Sequence, residues 1–135
     1  MNKKRVLLAG LAAGVFWIVV DFGIHGVILS KTYEPLVASG VINGPPNWFL
    51  PAVVLANLWI GLTLAFLYAA LRGPLGAGPA TALKIGFCVF IFYIPVFVTQ
   101  VSFYKLGALV NTWSLAGGVV QTLGASLIAG WLYKE

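Results

Sequence analysis

Four long apolar stretches dominate the pattern of hydrophobic and polar positions along this chain. They run from about 6 to 29, 48 to 71, 82 to 103 and 109 to 132. Each is long enough to cross a bilayer, since a helix needs roughly 20 apolar residues to do so. Apolar residues are continuous within each stretch, whereas membrane-spanning strands alternate. The pattern therefore predicts an all-α, single-domain polytopic membrane protein, covering residues 1–135, with four transmembrane helices in an up-down bundle.

The segments between the stretches are short, apart from the predicted outer loop at 30–47. Within that loop, residues 33–39 could form a short interfacial helix, with Thr32 as its N-cap and Gly40 at its end. The predicted inner loop at 73–79 is rich in Gly and Pro, and we expect it to be flexible.

Composition supports a membrane location and argues against nucleic acid as a partner. Hydrophobic residues make up 61% of the chain and charged residues 8%, against about 25% charged residues in a soluble domain. So few charges cannot cover a surface that faces water. The sequence pI is near 9.6, but the basic residues lie at the ends of the apolar stretches rather than in one patch. The expected partner is therefore the lipid bilayer.

The basic residues also predict the orientation of the chain. Lys31 and Lys105 fall on one side of the predicted bundle, and six others fall on the opposite side: Lys3, Lys4, Arg5, Arg72, Lys84 and Lys134. Cytoplasmic loops carry the excess of Lys and Arg in membrane proteins. Both termini and the middle loop are therefore predicted to be cytoplasmic.

Strongly polar residues inside the stretches concentrate in the predicted outer half. Asp21 and His25 are spaced i, i+4, so their side chains share one helix face. They form a predicted polar or ion site together with three residues of the other helices: Asn57, Gln100 and Asn111. Polar groups in a membrane core usually face the bundle interior and mark function. The alternative is that Asp21 fixes packing, through hydrogen bonds to His25, Asn57 or a neighbouring chain.

Small residues recur at four-residue spacing and predict the faces along which the helices pack. The residues concerned are Gly10, Gly14, Gly61, Gly117 and, within the same stripes, Gln121. Small residues at this spacing let two helix backbones approach closely in a membrane.

Catalytic and metal-binding motifs are missing from the sequence. It has no Gly-rich phosphate loop, nucleophile elbow, His-Glu-x-x-His or Cys-x-x-Cys motif. We therefore expect no catalytic residues and no enzyme. A metal site needs three or four ligands, and one His with one nearby carboxylate is too few. No cofactor is expected, and a single haem or pigment bound through His25 is a remote alternative.

The first apolar stretch is similar in sequence to one group of known proteins. The run from Leu8 to Gly14, followed by Trp17, Asp21-Phe22 and the run from His25 to Leu29, resembles small bacterial four-helix inner-membrane proteins of unknown function. The resemblance implies a place in the bacterial inner membrane and no particular activity. The chain differs from small multidrug exporters, which have a membrane Glu early in the first helix, because no Glu precedes Glu34.

Three functional hypotheses follow from the sequence. The favoured one is a non-enzymatic accessory or structural protein, either a homo-oligomer or a subunit of a larger membrane complex. The second is a transporter, channel or sensor for protons, cations or small solutes, based on the polar cluster around Asp21 and His25. The third is haem or pigment binding through His25.

Overall fold

The computed structural model describes residues 1–134, and these residues are helical with no β-strand. The first helix, α1 (Lys3–Asp21), continues directly into a π-helical segment, Phe22–Ile28. Four helices follow: α2 (Ser30–Ala38), α3 (Phe49–Leu75), α4 (Pro79–Phe103) and α5 (Ala108–Leu132). The prediction of an all-α protein is confirmed for this part of the chain.

Four of the helical segments are long and apolar enough to cross a membrane. They are Lys3–Ile28, which joins α1 to the π-helical segment, Phe49–Leu75, Pro79–Phe103 and Ala108–Leu132. Large apolar side chains lie exposed in the middle of these spans, such as Trp59 at 72% and Phe92 at 81%. An apolar surface of this extent is unsuited to water and suited to lipid. The fold is consistent with an integral membrane protein that crosses the bilayer through these four spans.

The connections differ in detail from the sequence-based expectation. Helix α3 continues through Pro74 to Leu75, and α4 begins at Pro79, so the predicted flexible loop at 73–79 shrinks to residues 76–78. A proline in the last helical turn removes only one backbone hydrogen bond. The residue before it, Gly73, has no Cβ to clash with the proline ring in a helical conformation.

The short helix in the loop at 30–47 starts earlier than the sequence suggested. It begins at Ser30, directly after the π-helical segment, and its N-cap is Leu29 rather than Thr32. Leu29 is fully buried and makes no side-chain cap hydrogen bond. The helix ends at Ala38, and Gly40 follows with a φ of +75°, a conformation that glycine adopts without strain.

Helices α1 and α3 cross with their backbones in contact. A Cβ atom placed on Gly61 would collide with the backbone of Gly10 and Gly14, and one on Gly14 would lie 2.7 Å from the Leu58 Cα. Helices α4 and α5 meet similarly at Gly86, where a Cβ would lie 2.7 Å from the Thr122 carbonyl oxygen. Glycine at these positions lets the helices approach more closely than any other residue would.

The main core lies in the half of the bundle that contains the start of α1 and the end of α5. Buried residues of α1, α3, α4 and α5 form it, together with one residue that follows α5: Ala9, Ala13, Leu64, Ala65, Tyr68, Ala82, Ile85, Ala125, Ala129 and Tyr133. At this end the backbone N–H of Asn2 donates a hydrogen bond of 3.0 Å to the Tyr133 hydroxyl. A smaller cluster of Ile24, Leu29 and Val110 closes the other end.

Candidate functional site

Asp21, the last residue of α1, links three helices through its carboxylate. Its Oδ2 accepts a hydrogen bond of 3.4 Å from Asn57 Nδ2 on α3, and its Oδ1 accepts one of 3.3 Å from Gln121 Nε2 on α5. Gln121 Nε2 also donates to the Trp17 carbonyl oxygen at 3.4 Å. These bonds are longer than the 2.7–2.9 Å typical of charge-assisted hydrogen bonds, so the two amides hold the carboxylate loosely.

Neutral amides are thus the hydrogen-bond donors to Asp21, and no ion pair to it occurs among the described residues. Isolated charges are expensive to place in an apolar medium unless an opposite charge or a proton compensates them. Asp21 therefore lies in a candidate membrane span, and no basic side chain of residues 1–134 neutralises its carboxylate by direct contact.

His25 lies one turn beyond Asp21 but bonds elsewhere. Its Nδ1 and the Tyr33 hydroxyl oxygen are 2.7 Å apart, and the imidazole tautomer decides which of them donates. The two rings also stack, with centroids 6.1 Å apart. Of the partners that the sequence suggested for Asp21, His25 thus bonds to Tyr33 of α2 instead, whereas Asn57 does bond to Asp21.

The turn that carries His25 is a π-helix. Between Phe22 and Ile28 the backbone winds more widely than an α-helix, and the Leu29 N–H donates to the Ile24 carbonyl oxygen at 2.8 Å. Such wide turns are rare and often occur at functional sites. Here the π-helical segment begins directly after Asp21 and separates the packed part of the first span from α2.

A cavity of about 730 Å³ opens beside Asp21; we name it the Asp21 cavity. Its walls come from the first span, from α2 and the loop after it, and from α3, with contributions from the end of α4. Its polar lining includes Asp21, His25, Tyr33, Asn43, Asn57, Gln100 and Tyr104, and its apolar lining includes Ile18, Phe22, Val37, Phe49, Leu50, Val53 and Val54. Ligand pockets in proteins typically combine such a volume with mostly apolar walls and a few polar groups.

The predicted site residues are not all at this cavity. Asp21, His25, Asn57 and Gln100 line it, whereas Asn111 does not. The predicted packing glycines Gly10, Gly14 and Gly61 lie at the α1–α3 crossing, and Gly117 faces the Ile24 side chain. Gln121, predicted from the sequence as a packing residue, is a hydrogen-bond donor to Asp21.

Two lining tyrosines, Tyr33 and Tyr104, were missed as site residues because the sequence indicated only that they lie near helix ends. Tyr33 is half-buried, and burial raises the pKa of its phenol above the usual 10.0, with the nearby charge of Asp21 adding to the rise. The phenol thus keeps its proton at neutral pH and can hydrogen-bond to His25 or to a ligand. In the sequence, Tyr33 lies eight residues after His25 and outside the first apolar stretch, and this spacing alone does not predict their contact.

Metal binding finds no support in the described part of the chain, where no group of three or more His, Cys, Asp or Glu residues is close enough to hold an ion. The Asp21 cavity instead offers one carboxylate, one imidazole, two phenols and several amides within an apolar wall. This arrangement can hold a solute that is positively charged at one point and apolar elsewhere.

Comparisons with protein-family models, with curated proteins and with solved structures returned no match to this chain. Its own geometry therefore provides the basis for assigning a function: four helices long and apolar enough to span a membrane, with a mostly apolar cavity beside the carboxylate of Asp21.

Proposed function

We propose that this protein is a four-span inner-membrane protein that binds a small organic cation in the Asp21 cavity, as a sensor or transporter of that solute. The carboxylate of Asp21 carries the proposal, because it lines a large cavity and has only neutral amide partners among the described residues. A cation that enters the cavity supplies the missing opposite charge.

The shape and lining of the cavity favour an organic cation over a proton or a metal ion. A proton needs no space, whereas the cavity measures about 730 Å³, within the range of 300–1,000 Å³ found for small-molecule sites. The ring of Tyr33 and the ring of Phe49 line the same cavity as Asp21. Aromatic faces attract organic cations, so they add to the attraction of the carboxylate.

The proposed topology is up-down, with both ends of the chain in the cytoplasm. Contacts between α1 and α3 pair Gly10 with Leu62 and Gly14 with Leu58, so residue numbers rise along one helix as they fall along the other. The bond between Asn2 and Tyr133 supports one common side for the two ends. Six of the eight basic residues belong to that predicted side, which the positive-inside rule assigns to the cytoplasm. The opening of the Asp21 cavity then faces outward.

Binding of a lipophilic cation tests the proposal. The probe is tetraphenylphosphonium, added to the purified protein in uncharged detergent, and isothermal titration calorimetry measures its dissociation constant. We expect saturable binding that Asp21→Asn weakens by about tenfold or more, since interactions with a charged group contribute about 1.5–3 kcal/mol. Glu34→Gln is the matched control, because Glu34 also carries one negative charge but lies exposed outside the cavity.

Tetraphenylborate provides a second control, because it has nearly the same shape as the probe and the opposite charge. We expect no saturable binding of this anion. Equal affinity of the cation for the wild type and Asp21→Asn, with both folded by circular dichroism, would contradict the proposal. Uptake of the cation into proteoliposomes then distinguishes a transporter from a sensor.

The two other hypotheses rest on the sequence alone. An accessory role in a membrane complex, or as a homo-oligomer, stays a prediction that co-purification from native membranes can test. Haem or pigment binding through His25 stays a prediction that the visible absorption spectrum of the purified protein can test.

A further inference from the structure

A second cavity, of about 630 Å³, lies at the opposite end of the bundle, where Asn2 meets Tyr133; we name it the Tyr133 cavity. The end of α3, the start of α4 and the end of α5 form its walls. Its lining is mostly aromatic, small or basic: Tyr68, Arg72, Ala77, Gly78, Pro79, Leu127, Gly130, Trp131, Tyr133 and Lys134. No acidic side chain is among these residues.

Arg72 is held at this cavity in an unusual way. Its guanidinium carbon lies 5.4 Å from the centre of the Tyr133 ring, a cation–π contact. Its Nη1 is buried and has no hydrogen-bond partner among the described residues. A guanidinium group carries five N–H donors and no acceptor. A buried guanidinium nitrogen without a partner is energetically costly, so binding of a hydrogen-bond acceptor beside it is favoured.

Lys134 also lines this cavity, and its side chain is exposed. Neither Arg72 nor Lys134 forms an ion pair within residues 1–134. Two basic side chains thus line one cavity that has no acidic lining residue among residues 1–134. Trp131, 67% exposed, also lines the cavity, and tryptophan near the end of a membrane helix typically contacts the lipid headgroup region.

We infer that the Tyr133 cavity binds a phosphate group, with Arg72 and Lys134 as its ligands. The guanidinium fork matches two phosphate oxygens, and the ammonium adds a point charge. Basic pockets between transmembrane helices bind anionic lipid headgroups by this chemistry. The same site can accept the phosphate of an anionic phospholipid or a free phosphate ion. This inference does not depend on the proposed function of the Asp21 cavity.

Native mass spectrometry of the purified full chain tests the inference. Protein in nanodiscs that contain equal amounts of phosphatidylglycerol and phosphatidylcholine is released into the gas phase, and the bound lipids are counted. We expect retained phosphatidylglycerol in preference to phosphatidylcholine. Each of Arg72→Gln and Lys134→Gln should reduce this retention by about fivefold, which corresponds to the loss of one cation near an anionic headgroup.

Lys84→Gln is the matched control, because Lys84 is an exposed cation near the start of α4 that does not line the cavity. Arg72→Lys is a second variant, which keeps the positive charge and loses the paired N–H donors of the guanidinium group. We expect it to retain less phosphatidylglycerol than the wild type and more than Arg72→Gln. Thermal unfolding in the presence of inorganic phosphate provides the second arm.

Selective lipid retention that depends on Arg72 and Lys134 supports a lipid phosphate site. Stabilisation by inorganic phosphate that depends on the same two residues, without lipid preference, supports a site for soluble phosphate. Equal retention of both lipids with no phosphate effect overturns the inference. A loss in Lys84→Gln as large as in Arg72→Gln also overturns it, because the effect would then reflect net charge alone.

Discussion

The crossing of α1 and α3 makes a strong prediction for Gly61→Ala. Position 61 faces the backbone of α1, where an added Cβ would collide with Gly10 and Gly14 and lie 2.6 Å from the Gly14 Cα. Ordinary van der Waals contact between such atoms begins at 3.4 Å. To restore that distance between the new Cβ and the Gly14 Cα, the two helices must separate by about 0.8 Å. Side-chain rotation cannot relieve the clash, because the three nearest atoms all belong to the backbone of α1.

The separation should reduce the free energy of unfolding substantially. Overpacking by one methyl group typically costs about 1–3 kcal/mol, and a rigid backbone partner places Gly61→Ala at the upper end of that range. The displacement also moves α3 away from α1 close to the Asp21–Asn57 hydrogen bond, which is already 3.4 Å long. We therefore expect a destabilised protein with weaker contact between Asp21 and Asn57.

Equilibrium unfolding in mixed micelles of a mild detergent and dodecyl sulfate measures the free energy of unfolding. Gly23→Ala is the matched control, because it is the same substitution in a membrane span, and a Cβ at position 23 meets nothing within 4 Å. Replacing this glycine should be neutral or stabilising by up to about 1 kcal/mol. A Gly61→Ala protein as stable as the wild type would refute the close backbone crossing, and so would equal losses in the two variants.

Three further predictions concern single side chains. Tyr68→Phe should cost about 1 kcal/mol of unfolding free energy, because the Gly78 N–H loses its hydroxyl acceptor at 2.9 Å; an unchanged value would mean that water replaces the hydroxyl. The raised pKa of Tyr33 means that the folded protein holds the phenol proton more tightly than the unfolded chain does. The free energy of unfolding should therefore be constant below about pH 10 with respect to this group and fall as pH rises through the folded-state pKa. Tyr33→Phe should remove this fall in an alkaline unfolding titration. A variant with Trp59 as its sole tryptophan should be quenched strongly by lipids brominated on their acyl chains, since this ring is 72% exposed within a candidate span; equal quenching by an aqueous quencher would contradict the span.

The sequence predicted the four long apolar helices well because their signal is local and strong. Each span is a continuous apolar run, and a run of that length has few alternatives to a helix in a bilayer. The ends of helices were less predictable. Helix α3 continues through Gly73 and Pro74, residues that usually indicate a loop, because the following glycines at 76 and 78 already provide the turn with positive φ.

The candidate site was predictable only in part, because its geometry depends on how distant segments pack. The sequence placed Asp21 and Asn57 in the same half of the predicted bundle, and their side chains are hydrogen-bonded. The π-helical turn after Asp21 has no sequence signature that we recognise. The approach of Tyr33 to His25 depends on that turn and on the direction of α2, neither of which local spacing determines.

A cation bound in the Asp21 cavity should contact the Asp21 carboxylate directly. Asp21 is the only aspartate in the chain, so ¹³C-labelled aspartate gives a single carboxylate signal in a nuclear magnetic resonance spectrum without any mutation. Titration with tetraphenylphosphonium should shift this signal progressively until it saturates, with the dissociation constant found by calorimetry, while tetraphenylborate leaves it in place. A carboxylate signal that stays unchanged while the cation binds would contradict the claim.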